Sequence, residues 1–213
     1  MKWFSLETSS PRVSMAIGNN LVCLQEVSAE GNASVLIEPL FRKLNVNWEE
    51  IQKCIIGQGP GSYNGLRVGY AFLKGLLCLN PLPVIEIATP LILATHASEH
   101  LSLKNADIFV LNNARRKEMY GALVEIQNGL PRLQWQTIIQ EKSMVEKLPA
   151  KLDAIVSYDY APDDLLAFGA YPQLFLFPSA TFAGQIAFKL NLPAKAHLSE
   201  LEPHYVRPPV PSN

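Results

Sequence analysis

Apolar and polar positions change period along this chain. Residues 3–6, 13–17 and 21–27 form short apolar runs set apart by Ser9-Ser10-Pro11 and Gly18-Asn19-Asn20. Spacers that short predict three strands joined as an antiparallel meander. From Asn32 to Leu44 the apolar residues fall at Ala33, Leu36, Ile37, Leu40, Phe41 and Leu44, the spacing of one helix face. Pro39 lies inside that stretch and removes a backbone donor, so the helix needs a kink to absorb it. A strand at 53–57, a glycine-rich turn, a helix at 66–79, a strand at 83–87 and a helix at 90–100 follow.

Three antiparallel strands followed by alternating helix and strand predict a mixed sheet with parallel crossovers. That order matches the ribonuclease-H-like lobe from which actin-like proteins are built. Beyond the polar stretch 99–107 a second series begins, with strands at 107–111, 118–126 and 133–139 and Gly129-Leu130-Pro131 as a turn. A short helix at 143–148, strands at 154–157 and 174–177 and a helix at 180–190 complete it. The expected class is α/β, with one ribonuclease-H-like lobe at 1–103 and a second at 104–193. Residues 194–213 are too proline-rich to continue a helix and read as a tail that packs back or stays mobile.

Composition narrows the function classes. With 213 residues, 48% hydrophobic and 17% charged, the chain can bury one large core or two smaller ones. Its formal charge of −1 gives no global field for a polyanion, so any service to RNA is local or works through a partner. The three cysteines, Cys23, Cys54 and Cys78, sit in apolar runs and read as reduced core thiols. The first residues lack the basic and apolar regions of a signal peptide, and no apolar run reaches the roughly 18 residues of a membrane span. The expectation is a soluble, cytoplasmic protein.

The most informative segment runs from Gly57 to Gly69: Gly-Gln-Gly-Pro-Gly-Ser-Tyr-Asn-Gly-Leu-Arg-Val-Gly. A strand enters it and a helix leaves it, with Ser62 or Asn64 as the cap. An exposed helix N-terminus there is a possible anion or nucleotide site, built from Gly59, Gly61, Ser62 and Gly65 with Ser9 and Ser10. A ligand-free strand-to-helix turn explains the same residues. Neither the Gly-Lys-Ser/Thr ending of a phosphate loop nor the dinucleotide glycine spacing is present. Gly65, Gly69, Ala71 and Gly75 make the helix slim, suited to close approach by its own sheet or by another helix.

This loop resembles the Gly-Pro-Gly-Ser-Phe-Thr-Gly-Leu-Arg signature of the TsaB family. Leu6-Glu7-Thr8-Ser9-Ser10 with Val13-Ser14-Met15-Ala16 is similar to that family's opening strand and turn. Ala114-Arg115-Arg116-Lys117-Glu118-Met119-Tyr120 resembles its Asp-Ala-Arg-Arg-Gly-Glu-Val-Tyr segment, and Glu202-Pro203-His204-Tyr205-Val206-Arg207-Pro208 its closing Glu-Pro-x-Tyr-x-Arg-Pro. The resemblance implies an actin-like fold and a role as scaffold for TsaD, the catalytic homologue. With the ATPase TsaE, that pair places threonylcarbamoyl on adenosine in tRNAs reading codons that begin with A. TsaC or Sua5 supplies threonylcarbamoyl-adenylate. Slim, apolar first-lobe helices suit such pairing, for which Val35, Leu36, Leu40, Leu66, Gly69, Tyr70 and Leu73 are the candidates, and without TsaD the same face is expected to close into a homodimer, because exposed apolar patches seldom stay solvated.

Chemistry-bearing groups are missing where the superfamily carries them. The aspartate of the Asp-x-Gly-x-Thr turn is Glu7, with no glycine following, and the two histidines that hold TsaD's metal correspond to Thr89 and Leu93. His96 and His100 stand four apart on one helical face, but a pair without a third ligand is not a metal site. There is no Gly-x-Ser-x-Gly elbow, and the adjacent Asp163 and Asp164 point apart on regular structure. Arg115 and Arg116 could touch RNA phosphates, though a solvated turn explains them as well. The family's His-Ser is here Asn32-Ala33, its loop threonine Asn64, and the aspartate before Ala-Arg-Arg is Asn113. The expectation is no catalytic residue, metal or cofactor; a small-molecule kinase or metallopeptidase of the same superfamily is the alternative, and a tRNA binder acting alone a third.

Overall fold

β1 (Lys2–Glu7) lies at the centre of the first sheet, with β2 (Arg12–Asn19) and β3 (Val22–Glu30) on one side and β4 (Lys53–Gly59) and β5 (Val84–Ala88) on the other. The strand order is β3-β2-β1-β4-β5. The first three strands form the antiparallel meander, and β4 and β5 run parallel to β1. The computed structural model describes residues 1–115, 117–140, 143, 148–149, 151–160 and 171–205. The chain divides into two units, one formed by Met1–Thr89 with the segment from Pro178 on, the other by Pro90–Phe177.

The helices are α1 (Ala33–Leu44), α2 (Tyr63–Leu79), α3 (Thr89–His100) and α4 (Ala180–Lys189). Alternation along β1 turns Phe4 and Leu6 to one face and Trp3 and Glu7 to the other. On the first face they join Ile37, Leu40 and Leu44 of α1 and Tyr70, Leu73 and Leu77 of α2 in one core. Phe41 of α1 meets Phe72 of α2 edge-on at 5.2 Å. Asn32 caps α1 by accepting from the Ser34 amide, and Asn45 closes it in the left-handed conformation. Pro39 does not end the helix; it stands on the exposed side, where water can serve the carbonyl freed at Val35, itself 67% exposed.

α4 covers the opposite face of this same sheet, not the second one. The Ser14 hydroxyl accepts from the Ala180 amide at 2.8 Å, and Gly184 lets the helix settle on the Trp3 ring, which a Cβ there would overlap. The expected division at 1–103 and 104–193 is corrected accordingly: the chain passes between units at Thr89–Pro90 and returns at Pro178. Periodicity marks the buried stripe of a helix without saying which sheet it covers. The tail packs back as far as it is described: Lys195 exchanges two backbone hydrogen bonds with Val84, Leu201 enters the first core, and the His204 amide donates to the Gln58 carbonyl. Residues 206–213 lie outside the described residues.

In the second unit β6 (Ala106–Arg115), β7 (Glu118–Gln127), β8 (Leu130–Gln140), β9 (Ala154–Ser157) and β10 (Gln173–Phe175) are ordered β10-β9-β6-β7-β8. β6, β7 and β8 form an antiparallel meander, while β9 and β10 run parallel to β6. Counted within each unit the order is the same, which is the ribonuclease-H-like arrangement repeated, as in actin-like proteins. The β7–β8 turn is Asn128-Gly129, with φ of 52° and 76°, rather than the expected Gly129-Leu130-Pro131. Pro131 belongs to the edge strand β8, where a missing donor is tolerated. The expected helix at 143–148 and Asp163-Asp164 fall largely or wholly outside the described residues. Among the described residues no helix is long and apolar enough to cross a membrane.

Candidate functional site: a filled glycine loop and an outward helix face

The glycine loop is built at the point where β4 hands over to α2. Ser62 is the cap, its hydroxyl accepting from the Gly65 amide at 3.2 Å, so the helix opens at Tyr63, three residues before the expected start. Facing it is the turn that follows β1. Glu7, Thr8, Ser9 and Ser10 are all buried. The Ser62 amide donates to the Ser9 carbonyl at 2.6 Å, the Ser9 amide to Glu7 Oε1 at 2.5 Å, and the Thr89 hydroxyl to Ser9 Oγ at 3.0 Å. Ser10 Oγ is engaged with the backbone of Arg12.

The glycines are there to admit that turn. A Cβ at Gly57 would overlap the Glu7 carboxyl, at Gly61 the Ser9 backbone, at Gly65 the Thr8 carbonyl, and at Gly69 the Thr8 side chain. Gly59, at φ +95°, is confined by Leu66 and the His204 carbonyl. Ser9, Ser10, Gly59, Gly61, Ser62 and Gly65, the residues of the possible anion site, do come together; the Ser62 amide is bonded to the Ser9 carbonyl and the Gly65 amide to the Ser62 hydroxyl. Burial pushes the Glu7 carboxyl above its ordinary range, against weaker opposing hydrogen bonds from Ser9 and Thr8. Glu7 Oε2 and Thr8 Oγ1 are buried without a hydrogen-bond partner, which a neutral carboxyl tolerates far better than a carboxylate.

Among the described residues no cluster of three or more His, Cys, Asp or Glu is placed to hold a metal. His96 contacts the Phe177 carbonyl through Nδ1 at 3.0 Å, a fold contact within the second unit, while His100 is exposed at the helix end. Cys54 is a core thiol pushed up to about 12 by burial. Arg115 ends β6 and Arg116 lies outside the described residues, so the possible RNA contact gains no geometry.

Of the candidate partner residues, Leu40, Leu66, Tyr70 and Leu73 are buried in the chain's own core and Gly69 packs against Thr8. Leu36 is half-buried, and of the seven only Val35 is strongly exposed. The outward face of α2 instead carries Asn64, Arg67, Ala71, Gly75, Cys78 and Leu79, the last 86% exposed, while α1 adds Val35 and Pro39. Gly75 has open space where a side chain would be.

The sequence reading missed Glu86. Its carboxylate is nearly covered and accepts from the Tyr70 hydroxyl at 2.7 Å and the Glu202 amide at 3.0 Å, and it pairs with Lys195. Burial, then the charge of Glu86, keeps the Tyr70 hydroxyl protonated. One polar residue in the otherwise apolar strand Val84–Ala88 was the available signal.

The family model for TsaD, described as tRNA N6-adenosine threonylcarbamoyltransferase, matches residues 30–142, more than half of the chain. The tRNA threonylcarbamoyladenosine biosynthesis protein TsaB of Bacillus subtilis (strain 168) is 30% identical over 94 residues, covering 44% of this chain and 39% of that protein. The protein of the same name from Haemophilus influenzae (strain ATCC 51907 / DSM 11121 / KW20 / Rd) is 28% identical over 111 residues, covering 50% and 46%. The matched segment thus spans less than half the length of either relative. Among solved structures, YeaZ from Pseudomonas aeruginosa superposes with a TM-score of 0.80 over 96% of this chain and 100% of that one, at 18% identity, a likeness of fold. The chain belongs to the family that the TsaD model describes, and the curated relatives it matches in part both carry the name TsaB.

Proposed function

We propose that this chain is a non-catalytic subunit of the machinery that makes threonylcarbamoyladenosine in tRNA, and that it works by pairing with a TsaD subunit through the outward faces of α1 and α2. TsaE joins through that pair, TsaC or Sua5 supplies the activated donor, and tRNA is met through the complex. The observation that carries the reading is the contrast between the two ends of α2. At its start the turn Glu7–Ser10 packs against the glycines and takes up the Ser62 amide. Further along, its exposed side is a slim strip of Ala71, Gly75, Cys78 and Leu79, and α1, which packs against α2, exposes Val35.

A glycine and an alanine one turn apart let a second helix approach closely, and apolar area so covered contributes about 25 cal/mol per Å². A homologue that carries the same pair of helices can present a matching face, and without it two copies of this chain can close on each other. Phosphoryl transfer depends on a metal-bearing carboxylate in an open site, whereas Glu7 is covered and burial raises its pKa. The test is coexpression with TsaD and size-exclusion chromatography. A joint peak that Gly75→Leu splits supports the reading; separate elution of the native chain overturns it. Reconstituted tRNA modification that runs equally well without this chain would overturn it too.

A further inference from the structure

We infer that Arg67 is the polar anchor of this surface and receives a carboxylate from the partner subunit, an inference that rests on the pairing proposed above. Arg67 lies on the outward side of α2, in line with Ala71, Lys74, Gly75 and Cys78 at helical spacing. Its guanidinium stands over the Tyr63 ring, 5.4 Å from the centroid, and donates to the Tyr63 hydroxyl at 3.4 Å. Tyr63 is in turn held by Tyr205 of the tail, with ring centroids 4.9 Å apart. Two rings thus fix an exposed arginine that would otherwise sample many rotamers, which lowers the entropy lost when it is engaged.

The charge of Arg67 is unbalanced. Among the described residues no carboxylate pairs with it. α2 contains no acidic residue at all, and its charged side chains are Arg67 and Lys74. An arginine ordered yet uncompensated is suited to an anion from outside, and its planar fork matches a carboxylate in two-point contact. A protein carboxylate fits better than an RNA phosphate. The residues continuing the face of α2, Ala71, Gly75, Cys78 and Leu79, are small or apolar, and α2 carries two cations where a phosphate track needs several.

The experiment measures the dissociation constant of the complex between the intact chain and TsaD for the native protein, Arg67→Glu, Arg67→Ala and Gly75→Leu, each at about 0.1 M and 0.5 M salt. Arg67→Glu is expected to weaken binding at least about tenfold at low salt and Arg67→Ala by less, both losses shrinking at high salt. Melting curves of both Arg67 variants should match the native chain, because the side chain is exposed. If Gly75→Leu abolishes the complex while Arg67→Glu binds normally, the pairing surface stands and the role of Arg67 falls. If neither variant weakens a measurable complex, the surface itself is misplaced. If Arg67→Glu instead lowers affinity of the chain alone for tRNA and leaves the complex intact, Arg67 serves a phosphate and the inference is overturned.

Discussion

Glu7 has no exposed surface, and only one of its two oxygens is satisfied by the turn it holds. Burial raises its pKa above the ordinary 4.5, so the folded chain keeps a proton that the unfolded chain releases. The sign follows from linkage. This stabilisation is complete below pH 4.5 and is lost as pH rises through the higher folded value. Glu7→Gln keeps the shape and the acceptor for the Ser9 amide but has no proton to lose. Urea midpoints taken upward from pH 4.5 should therefore fall more steeply in the native chain than in Glu7→Gln. Parallel profiles would show that Glu7 titrates as an ordinary carboxylate, and with it that the turn is open to water. The same turn explains why Gly57 is glycine: any side chain there displaces the Glu7 carboxyl.

At the scale of elements, the tail segment 194–205 is tied to the first sheet by a single bridge and held in place by one carboxylate. Lys195 pairs with the edge of β5 through Val84, and its ammonium returns to Glu86. Glu86 also holds the Tyr70 hydroxyl and the Glu202 amide, while Leu201 fills the core beneath. Glu86→Ala would leave those donors without their shared acceptor, a loss of about 2–4 kcal/mol. Hydrogen exchange should locate it, with the amides of Val84 and Lys195 losing protection before those of β1 and β2. Uniform protection in the variant would mean that Leu201 alone retains the tail. None of this was legible in the sequence, because the partners of Glu86 stand as far as Glu202, and only the family-like Glu-Pro-x-Tyr motif hinted at a role. Elements with strong local signals were legible: the meander, the stripe of α1, and α2 behind Ser62 all formed where periodicity and capping put them, within three residues. Which side of a helix faces inward was not, since the slim residues of α2 lie on both sides, Gly65 and Gly69 against the Thr8 turn and Ala71 and Gly75 toward water.

For the whole molecule, the repeated strand order means that each unit carries the same scaffold, a meander followed by two parallel strands, on which actin-like enzymes mount a nucleotide site. In the first unit the glycine loop is occupied by the chain's own turn. The Thr8 and Ser9 carbonyls lie against the glycines, and the cap amides are bonded within the chain. Opening that site for ATP would require breaking those bonds and moving a buried turn. A ligand that binds only the folded state stabilises it by about 2.7 kcal/mol at a hundredfold excess over its dissociation constant. For a chain of this size that corresponds to a rise in melting temperature of roughly 5–10 °C. The isolated chain with millimolar ATP and magnesium should show no such rise. A clear shift in the isolated chain, removed by Ser62→Ala or Gly61→Ala, would mean that the turn yields to nucleotide, and the scaffold reading would have to give way to an enzymatic one.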